Sequence, residues 1–274
     1  MKVKNTLIIL LISLSFWACN NTEAPKEKSE ERIQIEMTTN KGIIVLELYN
    51  ETPKHRDNFA KLAKDGAFDS LLFHRVIEKF MIQGGDPDSK FAEAGDTLGN
   101  GDLPYMVDAE FNAKLFHKKG VLAAARDANI KRGSSAMQFY IVQGKVFNHS
   151  LLQKAEDRIN ENLAVNAARN MSENKALSDA LVKAMDEGNM ELYSLYNDSL
   201  KNMGKGNFEH YTIPESQREI YKTIGGTPHL DQNYTVFGEV IKGLEIVDII
   251  AAVPTDAMDR PLEDVRIVGI RVLD

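Results

Sequence analysis

Ile33, Ile35 and Met37 alternate with polar residues. After a short break, Ile43, Val45, Glu47 and Tyr49 alternate with Ile44, Leu46 and Leu48. Period-two patterning on either side of Asn40-Lys41-Gly42 predicts a β-hairpin whose second strand is buried on both faces. Thr52-Pro53 supplies a helix cap and a proline at the first helical position, and Phe59, Leu62 and Ala63 continue at helical spacing to Gly66. Short apolar runs at 73–77, 80–83, 121–125, 138–142, 235–240 and 265–273 predict further strands, and 244–251 a second helix. The glycine- and aspartate-rich residues 84–104 predict a long ordered loop. Many short strands with two flanking helices imply a mainly β domain, closed as an antiparallel barrel.

The period changes between residues 144 and 224. Leu152, Ala155, Ile159, Leu163 and Ala167 recur at helical spacing, as do Leu177, Leu181, Val182 and Met185, and then Leu192, Leu195, Tyr196 and Leu200. Charges and amides fill the other positions, so these are amphipathic helices, with breaks near Ser172 and Gly188. The segment is far longer than an ordinary loop and predicts an α-helical insertion at about 146–223.

The first eighteen residues have a different character. Lys2 and Lys4 precede the apolar run from Leu7 to Phe16, too short to span a bilayer well, and small Ala18 precedes Cys19. The pattern predicts a secretory signal over 1–18. Ala18-Cys19 resembles the lipobox of bacterial lipoproteins, which implies cleavage before Cys19 and its lipidation. Phe16 and Trp17 depart from the usual lipobox residues, and an ordinary cleaved signal or an uncleaved anchor competes with that reading. Cys19 is the only cysteine, so no intrachain disulfide is available. The polar run that follows, with Pro25, reads as a flexible tether, placing tether and lipid over 19–31 and the folded domain over 32–274.

Composition narrows the function classes. Among 274 residues, a net charge of −7 argues against nucleic acid as a partner. The six histidines are scattered without metal-ligand spacing, Gly84-Gly85-Asp86 lacks the Gly-Lys-Ser/Thr of a phosphate loop, and Ser134-Ser135 lacks a nucleophile elbow. No metal and no cofactor are expected. The informative stretch is Phe73-His74-Arg75-Val76-Ile77, followed by Phe80-Met81-Ile82-Gln83-Gly84-Gly85-Asp86. It sets one arginine among apolar neighbours, where a guanidinium needs a fixed partner or a ligand. A structural ion pair and a ligand site are both open on these residues alone.

That stretch resembles the signature of the cyclophilin peptidyl-prolyl isomerases throughout its length. Gln138-Phe139-Tyr140-Ile141 and His229-Leu230-Asp231 with Tyr234-Thr235-Val236-Phe237-Gly238 match two further family blocks. The resemblance covers about 33–144 and 224–273. It implies a closed eight-stranded antiparallel barrel with two flanking helices, and catalysis of cis–trans isomerisation of X–Pro bonds. Catalysis is implied for Arg75, Gln83 and Phe80, with Arg75 as donor to the prolyl nitrogen. Substrate binding is implied for Met81, Phe139 and Leu230 as pocket walls with Phe80, for Ala125 and Gln138 along the groove, and for His229 and Tyr234. His74 also falls on a motif position, with a packed strand histidine as the competing reading.

Several positions depart from the family pattern. Ala136-Met137 replace Gly-Ser, Arg126 an asparagine, Tyr234 a histidine and His229 a tryptophan, the last implying weak cyclosporin sensitivity. The partners implied are proline-containing unfolded or folding protein clients, with a membrane reached through the lipid anchor. The implied location is the cell envelope, at the outer membrane facing the periplasm, with surface exposure open. A proline-binding or chaperone module with little turnover is the alternative function.

Overall fold

The computed structural model describes residues 31–273. The expected signal over 1–18, Cys19 and all of the tether except Glu31 lie outside the described residues. Strands β1 (Gln34–Thr39) and β2 (Gly42–Leu48) form the expected hairpin. Thr39 braces its turn, accepting a hydrogen bond from the Lys41 N–H at 3.1 Å and donating to the Gly42 carbonyl at 2.8 Å. Helix α1 (Pro53–Lys64) starts at the proline, and β3 (Arg75–Ile77) and β4 (Met81–Gly84) follow. Next come β5 (Met106–Val107), β6 (Val121–Ala124), β7 (Ser134–Ser135) and β8 (Phe139–Val142).

Four helices succeed β8: α2 (His149–Arg169), α3 (Lys175–Asp186), α4 (Met190–Gly204) and α5 (Glu215–Thr223). The chain then returns through β9 (Val236–Lys242), α6 (Leu244–Ala251) and β10 (Ile267–Leu273). The breaks fall at 172 and 188, as the spacing predicts. The side chains of Asn148 and Asn189 cap α2 and α4 by accepting from the N–H groups of Leu151 and Leu192.

One antiparallel sheet runs β10-β1-β2-β9-β6-β8-β4-β3, with β5 and β7 as a separate small ribbon. Its eight strands match the expected number, but the barrel is not closed. The edges β3 and β10 share no ladder; the link is an isolated bridge between Leu72 and Arg266 with backbone hydrogen bonds such as Phe73 N–H to Val265 O at 2.8 Å. The cause is local. β3 is three residues long, and the chain entering it bends through Ser70 at φ 69°, outside strand conformation.

The main core lies on one face of the sheet. Ile35, Met37, Ile44, Leu46 and Leu48 are fully buried there. Phe139 meets Phe59, Phe68 and Phe73 edge-to-face, with centroids 5.5–6.1 Å apart. Helices α1 and α6 pack on the sheet as the two flanking helices. The four helices after β8 carry two small cores of their own, one around Phe147, Leu152, Ile159, Ile213 and Tyr221, the other around Val165, Ala168, Leu181 and Leu200. Gly204 lets α4 approach α2 closely, since a Cβ there would fall 1.8 Å from the Ala164 carbonyl oxygen. No helix among the described residues is long and apolar enough to cross a membrane.

Candidate active site

Strand alternation sorts the motif residues into two layers. On β4, Ile82 points into the main core and Met81 into a second apolar cluster; on β8, Phe139 and Ile141 point to the core, Tyr140 and Val142 to the second cluster. Arg75 on β3 sits directly opposite Gln83 on β4. Between these strands and the segment around Leu230 lies a pocket of about 180 Å³, lined by Arg75, Phe80, Met81, Gln83, Ala125, Arg126, Tyr140, Leu230 and Tyr234.

The arginine is less buried than its apolar neighbours in sequence predict. Its side chain is 43% exposed at the pocket rim, and its Nε lies 3.5 Å from Asp259, itself 40% exposed. Its strand neighbour Val76 points to the main core on the opposite face, while Phe80 and Met81 share the pocket with it. Its second partner is Gln83, whose Oε1 accepts from the guanidinium at 3.5 Å.

A chain of amides fixes the orientation of Gln83. The Gln138 side-chain NH₂ donates to the carbonyls of Gly99 and Gly101 at 2.9 and 2.8 Å, so its oxygen is the group turned toward Gln83. Gln83 presents its own NH₂ to that oxygen at 3.0 Å, which leaves its carbonyl oxygen for Arg75. The 84–104 loop supplies the anchor: buried Asp86 accepts from the N–H groups of Asp88 and Gly99. Gly85, at φ +93°, permits the crossing beneath this chain, because a Cβ there would fall 2.2 Å from the Met137 carbonyl oxygen.

The structure gathers Arg75, Phe80, Met81, Gln83, Ala125, Leu230 and Tyr234 around one pocket and leaves others outside it. Phe139 is not a pocket wall. It is 1% exposed within the phenylalanine core, and its neighbour Tyr140 takes the wall position because adjacent strand residues face opposite ways. Gln138 is 8% exposed and spends its amide on the loop and Gln83; it lines an adjoining groove with Gln83 and Ala125. Ala125 contributes its methyl group, since its N–H is bound to Gln138 O and its C=O to Ser135 N–H. His229 stacks on Phe80 at 5.7 Å and faces a neighbouring cavity instead of the pocket. Arg126 lies over the Tyr234 ring, 4.8 Å from its centroid.

His74 is a packed histidine, set immediately before β3 and not on a strand. It is 5% exposed, lines none of these pockets, and neither ring nitrogen has a hydrogen-bond partner. Burial pushes its pKa from 6.5 down to about 4. Between those values the unfolded chain binds a proton that the folded chain does not. The resulting stability is therefore fully present above pH 6.5 and is lost as pH falls toward 4. A shift of this size corresponds to about 3 kcal/mol. Urea unfolding at pH 7 and pH 4 is expected to show that loss, and His74→Phe a correspondingly smaller one; equal losses in both would refute the assignment.

Sequence reasoning missed a buried network beneath the pocket. Asp231, 1% exposed, accepts from the His117 N–H at 2.9 Å, from His117 Nδ1 at 2.8 Å and from the Tyr221 hydroxyl at 2.7 Å. His117 Nε2 lies 2.9 Å from the Tyr140 hydroxyl. Burial first, then Tyr234 and Asp231, push the Tyr140 hydroxyl well above its usual range, so it remains protonated. The network ties α5, through Tyr221, to the ring that forms the pocket wall. His117 and Tyr221 belong to none of the three motif blocks, so no sequence signal singles them out. Among the described residues no cluster of His, Cys, Asp and Glu could hold a metal ion.

Fold and site together define a class: an antiparallel sheet carrying a small pocket walled by Phe80, Met81 and Leu230 beside an arginine held by Gln83, with no serine, cysteine or histidine among the described residues that line it. The family model for cyclophilin type peptidyl-prolyl cis-trans isomerases matches residues 34–162 and 205–272. A Staphylococcus haemolyticus protein named "Putative peptidyl-prolyl cis-trans isomerase" is 30% identical over 256 residues, 93% of this chain and 98% of its own. A Staphylococcus aureus protein of the same name is 30% identical over 254 residues, 92% of this chain and 98% of its own. The crystal structure of a Cryptosporidium parvum cyclophilin type isomerase shares the fold with a TM-score of 0.51 at 19% identity, covering 89% of this chain and 98% of that one. The chain belongs to the cyclophilin-type peptidyl-prolyl cis-trans isomerase family.

Proposed function

We propose that X–Pro bonds of client proteins rotate in the pocket beside Arg75. The observation that carries this reading is the convergence of one braced guanidinium with Phe80, Met81, Tyr140 and Leu230 around a pocket of about 180 Å³. Rotation about the amide costs about 18–20 kcal/mol because conjugation is lost, and no covalent bond breaks. The catalyst therefore has to favour the twisted state over both planar ones. The apolar walls hold the pyrrolidine ring. As the bond twists, the prolyl nitrogen pyramidalises and its lone pair becomes an acceptor. Arg75 donates to it from a position set by Gln83, an interaction that exists only in the twisted state. Phe80 supplies a wall at the reacting centre. No cofactor or metal has a step to perform. A protease-coupled assay on a neutral X–Pro tetrapeptide tests the reading: acceleration over the uncatalysed rate is expected, and a background rate would sink it.

The domain organisation in this reading is a signal over 1–18, lipidated Cys19 with a tether to 31, and an isomerase domain over 32–274 interrupted by a helical insertion at 146–223. The break in the family match between 162 and 205 supports the insertion. The clients are then extracytoplasmic proteins, and the location is the cell envelope, at the outer membrane facing the periplasm. The Lys2, Lys4 and Ala18-Cys19 pattern supports the anchor. Expressed in a bacterium with its N-terminus intact, the chain is expected in the membrane pellet, and Cys19→Ser in the soluble fraction. A variant that stays in the pellet would refute lipidation.

A further inference from the structure

A second cavity, of about 460 Å³, adjoins the proline pocket and shares Arg126, Leu230 and Tyr234 with it. Its remaining walls come largely from α2, α3 and α4, including residues between 163 and 204 that the family model leaves unmatched. Three cations line it, Arg126, Arg158 and Arg169, against one carboxylate, Asp127. One oxygen of Asp127 is engaged with the backbone and side-chain N–H groups of Asn129.

None of the three arginines has a carboxylate partner among the described residues. Arg126 donates to the carbonyl and side-chain oxygens of Asn233 and to the Asp127 carbonyl. Arg169 is 9% exposed and donates to Ser178 Oγ and the Ala128 carbonyl. Burial first, then the nearby Arg126, holds the Arg169 guanidinium below its usual range. Arg158 is exposed on α2 and makes no hydrogen bond or ion pair with another described residue. Three guanidiniums against one carboxylate in one concave site, on a chain of net charge −7, form a local field opposite to that of the whole molecule. The amides of Asn162, Asn166 and Asn197 add donors around them.

We propose that this cavity is a specificity subsite that takes an aspartate or glutamate side chain of the same client polypeptide whose proline occupies the first pocket. The inference rests on the proline-pocket reading above. The shared walls place the two sites along one continuous strand of client, so a carboxylate a few residues from the proline reaches the arginines while the ring is held. Guanidinium forks match carboxylate geometry, and the interaction adds affinity without entering the twisting step.

The test uses the full chain in phosphate-free buffer and peptides with one X–Pro bond. A single glutamate is walked from two to five residues on either side of the proline, each peptide with a matched glutamine control. At one register the glutamate peptide is expected to show a KM about five- to tenfold below its control at equal kcat, as charge-assisted hydrogen bonds imply. The preference should vanish near 1 M salt, where screening acts over about 3 Å. It should also fall toward one in Arg158→Gln, an exposed position where substitution leaves folding intact. Equal KM values at every register, or a preference untouched by both salt and Arg158→Gln, would overturn the subsite. If no peptide is turned over above background, the proline-pocket reading is what fails. The glutamate preference is then read from equilibrium binding of labelled peptides, with the same two outcomes for the subsite.

Discussion

Arg75→Ala is expected to lower kcat/KM on a neutral X–Pro tetrapeptide by about 10²- to 10³-fold, the effect of removing one preorganised donor from a transition state. The fold is expected to survive. The side chain is 43% exposed and its ion pair with Asp259 spans 3.5 Å between half-exposed groups, an interaction worth at most about 1 kcal/mol. Activity and stability therefore separate: the melting curve stays close to wild type while turnover collapses. Arg75→Lys is expected to recover little, because an ammonium is a point charge without the planar fork that engages Gln83 and the prolyl nitrogen together. The same coupled assay, run beside thermal unfolding, reads both quantities. Wild-type rates in Arg75→Ala would refute the role proposed for the guanidinium.

The second large effect lies in stability. Asp231→Ala strips the partner from three buried donors at once: the His117 backbone N–H, His117 Nδ1 and the Tyr221 hydroxyl. Deleting one side of a buried, hydrogen-bonded charged group costs about 3–5 kcal/mol. For a domain of this size that lowers Tm by roughly 10 °C. Tyr221→Phe removes a single hydroxyl and is expected to cost only about 1 kcal/mol. Because His117 passes the constraint to the Tyr140 hydroxyl at 2.9 Å, the surviving folded Asp231→Ala protein is also expected to have a raised KM, with the pocket wall loosened. Denaturant unfolding and KM on the neutral peptide check the two halves. A loss under 1 kcal/mol would show that the donors find other partners.

The network also bears on how the helices relate to the sheet. Tyr221 on α5 reaches Asp231, Gln217 on α5 donates to the Ala113 carbonyl at 2.7 Å, and Arg169 at the end of α2 reaches the Ala128 carbonyl. Buried Glu156 on α2 pairs with Arg218 on α5 at 2.5 Å and accepts from the Ile213 N–H. Excising residues 150–220 would cut through these ties, so loss of activity in such a deletion would not separate client selection from folding. Point substitutions such as Arg158→Gln are the cleaner probe.

The hairpin, both flanking helices and the breaks near 172 and 188 were readable because each rests on a local period or a local breaker. The pocket was readable in part. Arg75, Phe80, Met81, Gln83 and Leu230 stand in blocks whose order is specific. Phe139 lies in the core and Tyr140 at the wall because a strand places neighbours on opposite faces, and two adjacent aromatics give no local sign of which one faces the pocket. Whether the barrel closes is equally without a local sign. Whether three-residue β3 pairs with β10 depends on the bend at Ser70, which composition does not reveal.

Amino-acid order by itself determined the family, the eight strands of the main sheet, the two flanking helices with α2 to α4, and the arginine of the site, since all are written in short-range spacing; α5 and the short β5–β7 ribbon carry no such period. Tertiary structure alone decided that Tyr140 is the wall, that Gln138 and Gln83 form an oriented amide chain, and that His117, Tyr221 and Asp231 lock the pocket from below. It also decided that Arg126, Arg158 and Arg169 line one cavity. The physical reason is common to all four: each depends on which groups from distant segments share a buried volume. Hydrogen-bond direction and charge compensation exist only once those segments have met.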